Sequence, residues 1–572
     1  MRASFRLRVL LGAAVVSSIA AGSVGALVAC GSSDDGTSGA KDASTDGTLG
    51  KTDSSPPGTD AASDAGPIDD ATVSDADAGD AAADADAALA LHRPFGLTHF
   101  IATGQSLSVG VDGTPLIDTT QPYHNVRISD DGSAPLYDGM GDKLALVPLI
   151  APVRPTEGAT LEYPHNIFGQ TCNEPAANQV TALAMAADGK DYPVALSVVG
   201  ESGQSITVIQ KGGTGNAYAS SMYEATALVG LAADAGATFG VGGIFLTHGE
   251  TDTGDTTYEA SLVKLQSDYQ TDLQALTKQT DGVPLFLSQQ CTEPGSAGAT
   301  SASTIAEWKA AVDNPGKIVL VGSKYQYEYS TADHLHLIGP GYVALGEKYG
   351  EAYFQQVVLD RPWRPLAPAS LTSATHTGAV ITLNLDVAYP PLTLDPMLTT
   401  NHATGTYAAW AKGEGFEVSD STGNLTIDSV AIAGSAVTIT LDKAPTGTGL
   451  TLAYAMVQDG DGTQGGAVGG RHGALRDSDP FVGRDAEKIS STVTAGSATI
   501  TAGTAGAKPF LARTTHDRVH DASGAEYIVT AHAADGSSVT VSPVWAGASG
   551  TVTLDYAHEQ RNYLVQFSLP VQ

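Results

Sequence analysis

The stretch "FIATGQSLSVG", Phe100 to Gly110, runs from an apolar segment into a small polar turn that carries two serines, Ser106 and Ser108. An apolar run of this length ending in glycine reads as a buried parallel strand delivering a loop to a sheet edge. Four further runs share the pattern: "YPVALSVVG" (192–200), "VGGIFLTHG" (241–249), "VPLFLSQ" (283–289) and "KIVLVGS" (317–323). Between the third and fourth, Tyr258, Leu262, Leu265, Tyr269, Leu273 and Leu276 recur at spacings of three and four, the apolar stripe of an amphipathic helix. "GPGYVALGEKYGEAYFQQV" (339–357) is a second helix candidate. Strand alternating with helix predicts a doubly wound α/β sheet.

Outward from this core the composition changes twice. Towards the N-terminus, Arg2, Arg6 and Arg8 precede an apolar stretch ending in "LVAC", Leu27 to Cys30. This resembles the bacterial lipobox, which implies a signal peptide over 1–30, lipid attachment to the Cys30 sulfur, and an extracytoplasmic protein held on a membrane. An uncleaved membrane helix over Val9 to Ala29 is the alternative. Residues 31–92 are dominated by Asp, Ala, Gly, Ser and Thr, too little apolar surface to offset the entropy of ordering, and are read as a disordered acidic linker. Sixty such residues reach about 45 Å by chain statistics. The run "DADAGDAAADADA" lacks the turn glycine and bidentate Glu of a calcium loop and reads as a solvating tail.

Towards the C-terminus, "RPWRPLAPAS" (361–370) is a proline-rich connector, and beyond it lie short alternating segments such as "AVITLNL" (379–385), "SVAIAGSAVTITL" (429–441) and "GTVTLDYA" (550–557). Alternation of this kind predicts an antiparallel β-sandwich over 366–485, completed by 561–572, with a small β unit inserted at 486–560. "QDGDGTQGG" (458–466) reads as a turn before a calcium loop. The chain carries 62 acidic against 29 basic residues, net −33, which argues against nucleic acid as a partner. It is expected to act as a monomer.

In open parallel sheets the working crevice lies beyond the carboxyl ends of the strands. The first strand is followed by "GQSLS", the second by "GESGQSI" (200–206), the third by "HGETDTG" (248–254), and the fifth, further on, by "DHLHL" (333–337). A serine becomes a nucleophile when a histidine takes its proton and a third group fixes the tautomer of that histidine. Asp333 and His336, three apart, suit this: the carboxylate reaches Nδ1 and leaves Nε2 for Ser106. Donors for the developing oxyanion would be the Ser106 and Gly203 amides. Ser108 is expected to be a neighbouring polar residue and His334 to lie outside the relay. Ser106 as a simple helix cap is the bland alternative.

In order and spacing these four blocks resemble the SGNH (GDSL-like) hydrolase superfamily, in particular its sialate O-acetylesterase-like carbohydrate esterases. Gly104-Gln105-Ser106, Ser202 to Ile206, His248 to Asp252, and Asp333 with His336 carry the resemblance, which spans 98 to about 355. It implies a flavodoxin-like three-layer α/β/α domain over 93–360, no metal or organic cofactor, and hydrolysis of esters, often acetyl groups on carbohydrate.

The sequence also departs from that pattern. Leu107 stands where Asn usually follows the serine, Thr251 where the superfamily has its oxyanion asparagine, and His248 where this branch has glutamine. One lost oxyanion donor costs about 3 kcal/mol of transition-state stabilisation, so the third donor is expected from His248, as a neutral imidazole, or from Thr251. Glu250 and Asp252 are expected to hold the loop. Cys172 and Cys291 both fall at the carboxyl rim, where they form a disulfide across the cleft or remain two buried thiols. Two other readings are weighed: His248, Glu250, Asp252, Asp333 and His336 as ligands of a divalent ion, and a glycan-binding protein on an inactive esterase scaffold.

Overall fold

The computed structural model describes residues 91–129, 144–154, 163–292, 301–398, 402, 405–457, 470–480 and 487–572. The lipobox with Cys30, nearly all of the 31–92 linker and the 458–466 turn lie outside the described residues.

The strand runs form β1 (Leu97–Gly104), β2 (Val126–Ile128), β3 (Leu146–Pro148), β4 (Val194–Val198), β5 (Phe239–Thr247), β6 (Leu285–Ser288) and β7 (Ile318–Gly322). They make one sheet in the order β3-β2-β4-β1-β5-β6-β7, parallel except for the β2–β3 pair at its edge. The five long central strands, numbered along the chain, stand in the order 2-1-3-4-5, so the winding reverses on either side of β1. Such a switch point leaves a crevice beyond the strand ends. All eight residues of β1 are buried, the reason it reads as a continuous apolar run.

Helices α1 (Asn173–Asp188), α2 (Ile206–Ile209), α3 (Ala217–Asp234), α4 (Tyr258–Thr277), α5 (Ala302–Asp313) and α6 (Gly339–Tyr353) connect the strands. α1 packs on α6, while α3 packs on α4 and α4 on α5, so the sheet lies between two helical layers. The stripe of α4 faces inward: Tyr258, Leu262, Leu265, Tyr269 and Leu273 are fully buried. Burying each such side chain contributes roughly 1.5–3 kcal/mol, and Lys278 in a left-handed conformation ends the helix.

Past the connector the chain is all β. One antiparallel sheet orders the strands 427–433, 436–441, 380–386 and 367–368, with 374–377 also paired to 380–386; another orders 423–424, 416–420, 451–454 and 567–570. The last strand therefore returns to pair with 451–454, Phe567 opposite Tyr454. Between them the chain departs to form a closed barrel of six strands, 487–493, 499–502, 518–520, 526–532, 538–542 and 550–557. Closure leaves no free edge. The barrel has its own core around Ile489, Ile500, Phe510, Val529, Val541 and Leu554, whereas the two sheets share the core of the α/β layers.

Candidate active site

The crevice at the switch point is built from close backbone approaches. Gly104 ends β1 with φ +137°, and a Cβ there would lie 2.1 Å from the Thr247 carbonyl oxygen. Only glycine allows both the turn and the approach. A single 3-10 turn, Ser106–Ser108, follows. Ser106 therefore opens a single 3-10 turn and not an α-helix.

The two serines are chemically distinct. The Ser108 hydroxyl donates to the Gln105 carbonyl at 2.6 Å, and its oxygen would meet a Cβ on Gly200 at 2.0 Å. It is a buried strut. Among the described residues the Ser106 hydroxyl has no hydrogen-bond partner, and the residue is 6 % exposed. Its carbonyl accepts from the Val109 and Val111 amides, which fixes the turn.

Asp333 and His336 sit at the tip of a hairpin over 328–338. Ile338 donates to the Glu328 carbonyl, Tyr329 bridges Leu337, and the Ser330 amide donates to the His336 carbonyl at 2.7 Å. Asp333 Oδ2 lies 2.5 Å from His336 Nδ1, and Asp333 Oδ1 accepts from the Leu335 and His336 amides. Partial burial works against charge on Asp333, but these amides and the imidazole hold its carboxyl below its ordinary pKa. His336 is buried, and its Nε2 has no hydrogen-bond partner among the described residues. His334 adopts φ +55°, as a tight tip requires.

The hairpin and the Ser106 loop are fastened together. The Gly339 amide donates to the Thr114 carbonyl at 2.9 Å, and the Tyr342 hydroxyl donates to the Val111 carbonyl at 2.8 Å. Asp112, on the Ser106 loop, brings a carboxylate oxygen within 4.8 Å of both Asp333 and His336. One of its oxygens is buried without a partner. Asp112 was not legible in sequence, because nothing in "SVGVDGT" marks the left-handed φ of +58° that turns it towards the dyad. A cleft of about 370 Å³ opens beside it, lined by Val111, Asp112, Thr114, Ser330 and Ile338 among others.

The oxyanion expectations divide. Gly203 is exposed with φ +72°, and neither its amide nor that of Ser106 donates to another protein atom among the described residues. His248 does not serve as the third donor. Its Nδ1 lies 2.7 Å from the Tyr258 hydroxyl and its Nε2 3.0 Å from the Gln204 carbonyl. Burial lowers its pKa, and with both nitrogens engaged the ring ties down the loop that contains Gly203. The Thr251 amide donates to Gln105 Oε1 at 3.2 Å, while its exposed hydroxyl has no hydrogen-bond partner among the described residues.

Beneath the turn, Gln105 Nε2 donates to Glu250 Oε2 at 2.9 Å, and the other Glu250 oxygen takes the fully buried Lys324 ammonium. Asp252 Oδ2 accepts from the Ile206 amide at 2.7 Å. Glu250 and Asp252 thus hold the three loops in register. Lys324 escaped sequence reading because a lysine after a strand normally signals solvent.

Of the two alternatives for the cysteines, a disulfide or two buried thiols, the structure shows the second: Cys172 and Cys291 are free and buried. Cys172 Sγ contacts the Thr247 hydroxyl at 3.7 Å, and Cys291 Sγ lies 2.7 Å from the Tyr329 hydroxyl. Of the five residues considered as metal ligands, Asp333 and His336 come together, with Asp112 as the third donor; His248, Glu250 and Asp252 are committed elsewhere.

No family model matches the chain, and no curated protein matches it in sequence. Several solved structures are similar at low levels. A protein from Arabidopsis thaliana is 16% identical, with TM-score 0.35, over 46% of this chain and 100% of that one. A carbohydrate acetylesterase from Xanthomonas citri is 14% identical, with TM-score 0.41, over 64% and 77%. Another from Sinorhizobium meliloti, Est24, is 10% identical, with TM-score 0.24, over 44% and 97%. Likeness at this level establishes neither a shared fold nor a shared activity.

Proposed function

We propose that the chain is a serine esterase that removes acetyl or similar acyl groups from carbohydrate. The observation that supports this most is the Asp333–His336 pair, fastened to the loop after β1, with the His336 Nε2 and the Ser106 hydroxyl both left without hydrogen-bond partners among the described residues. In this reading Ser106 Oγ attacks the ester carbonyl carbon while its proton passes to His336 Nε2. The tetrahedral oxyanion is held by the Ser106 and Gly203 amides. Collapse breaks the bond to the sugar oxygen, which takes the proton from His336. Water, activated in turn by His336, then releases the carboxylic acid and regenerates Ser106. Asp333 orients the ring and balances its charge.

The substrate class rests on the resemblance of the four sequence blocks. The catalytic unit is assigned to 93–360, the sandwich to 366–485 with 561–572, and an accessory unit to 486–560. Localisation outside the cytoplasm, on a lipid anchor at Cys30 behind the acidic 31–92 linker, belongs to the same proposal. The test compares the wild type with Ser106→Ala on aryl acetates and acetylated polysaccharides. Loss of turnover in the variant is expected, and equal rates would remove Ser106 as the nucleophile.

A second reading, a glycan-binding protein on an esterase scaffold, is favoured by one observation: both ring nitrogens of His248 are engaged within the protein, which leaves the exposed Thr251 hydroxyl as the remaining candidate for a third oxyanion donor. Affinity for acetylated polysaccharide without turnover would support it.

A further inference from the structure

The base of the catalytic hairpin is gripped from outside by the inserted barrel. Glu328, whose carbonyl closes the hairpin, sends its carboxylate into the barrel. Oε2 accepts from the Thr514 hydroxyl and the Thr515 amide, each at 2.8 Å, and His532 Nε2 lies 2.9 Å from Oε1 and 3.0 Å from Oε2. All of these groups are largely buried. The barrel side is itself stiff. Asp517 Oδ2 accepts from the Thr514 amide, Asp517 Oδ1 lies 2.9 Å from His558 Nδ1 with both side chains fully buried, and His516 between them holds φ +72°. A non-glycine residue in that conformation costs on the order of 1 kcal/mol and persists where its surroundings fix it. Gly341 packs against the other side of the same base, where a Cβ would lie 2.6 Å from the Glu328 carbonyl oxygen.

We propose that Glu328 and His532 are positioning residues: the inserted barrel, through this contact, holds the 328–338 hairpin in the conformation that presents His336 to Ser106. The role rests on the esterase reading, but the clamp itself does not. The charged groups facing His532 are Glu328 from the hairpin and Asp517 from the 514–517 turn. Both favour its protonated form, and the Glu328 bond raises its pKa the most. The Glu328 carboxyl is held low despite its burial, by His532 and the Thr514 and Thr515 donors. The grip is therefore an ion pair on the acidic side of the His532 titration and weakens as pH rises through it.

The test uses the full chain carrying His532→Gln, Glu328→Gln, or both, with two readouts. Amide hydrogen exchange should quicken across 329–337 in each single variant, while the strands of the α/β sheet keep their protection. On aryl acetates kcat should fall about ten- to a hundredfold with KM little changed, as small misplacements of a catalytic group do. The double variant should be no worse than the worse single one, and the His532→Gln deficit should be largest at acidic pH. Should Glu328→Gln fail to fold, His532→Gln decides alone. Unchanged exchange across 329–337, or quickened exchange with unchanged kcat, overturns the proposal. If the wild type hydrolyses no ester, the esterase reading falls, and the exchange readout judges the clamp by itself.

Discussion

Ser106 and Ser108 differ less in sequence than in what their hydroxyls touch. Ser108→Ala removes a buried bond to the Gln105 carbonyl, which keeps the residue-108 amide as a donor, and should cost about 0.5–1.5 kcal/mol of stability in denaturant titration. Its effect on kcat should be far smaller than that of Ser106→Ala. A Ser108→Ala protein as inactive as Ser106→Ala would show that the roles are misassigned. His248 was expected to donate to the oxyanion, but a histidine amid Gly249, Glu250 and Asp252 gives no sequence sign that Tyr258 and the Gln204 carbonyl will claim its nitrogens. The cysteines illustrate the same limit: rim placement was legible, side-chain direction was not. Burial pushes the thiols up, Cys172 to about 12 and Cys291 to about 11. Both should resist a thiol reagent at neutral pH in the native protein and react once it is unfolded. Immediate reaction of either would contradict the packing.

At the scale of elements, the five long strands were legible because each is buried on both faces and reads as an unbroken apolar run. β2 and β3 were not, since three residues carry no period. Of the barrel strands, those within 527–545 and 550–557 were visible, but closure was not, because it depends on pairing 487–493 with 550–557 across the whole of the intervening chain, 494–549. The hairpin at 328–338 is the element on which the proposed chemistry depends most. Asp333, with its lowered pKa, stabilises it above the carboxylate range and loses that contribution as pH falls through its folded value. Asp333→Asn should lower kcat by about 10³–10⁴ if the tautomer logic of the relay applies, while the aryl acetate KM stays near the wild-type value. A variant with wild-type kcat would remove Asp333 from the relay.

Across the molecule, the C-terminal β region is bonded into the α/β core. The Gln289 side-chain amide donates to the Gln566 carbonyl and accepts from the Gln566 amide, each at 2.7 Å, and the Tyr325 hydroxyl donates to the Leu564 carbonyl at 2.7 Å. Lys348 of α6 is buried between Glu351, Asp479, Asn562 and the Gln560 carbonyl. Removing one partner of a buried ion pair leaves uncompensated charge, so Lys348→Met should cost about 3–5 kcal/mol. Thermal unfolding should register the loss across both regions, and an unchanged melting temperature would argue against this bonded junction. None of it was legible in composition, which showed only a proline-rich break at 361–370.

The most direct measurement is intact-mass and peptide analysis after reaction with a serine-directed phosphonate. A single adduct is predicted on the peptide holding residue 106, absent in Ser106→Ala and strongly slowed in His336→Ala. An adduct that persists in Ser106→Ala, or a wild-type protein that takes none, would contradict a nucleophile activated by the hairpin histidine.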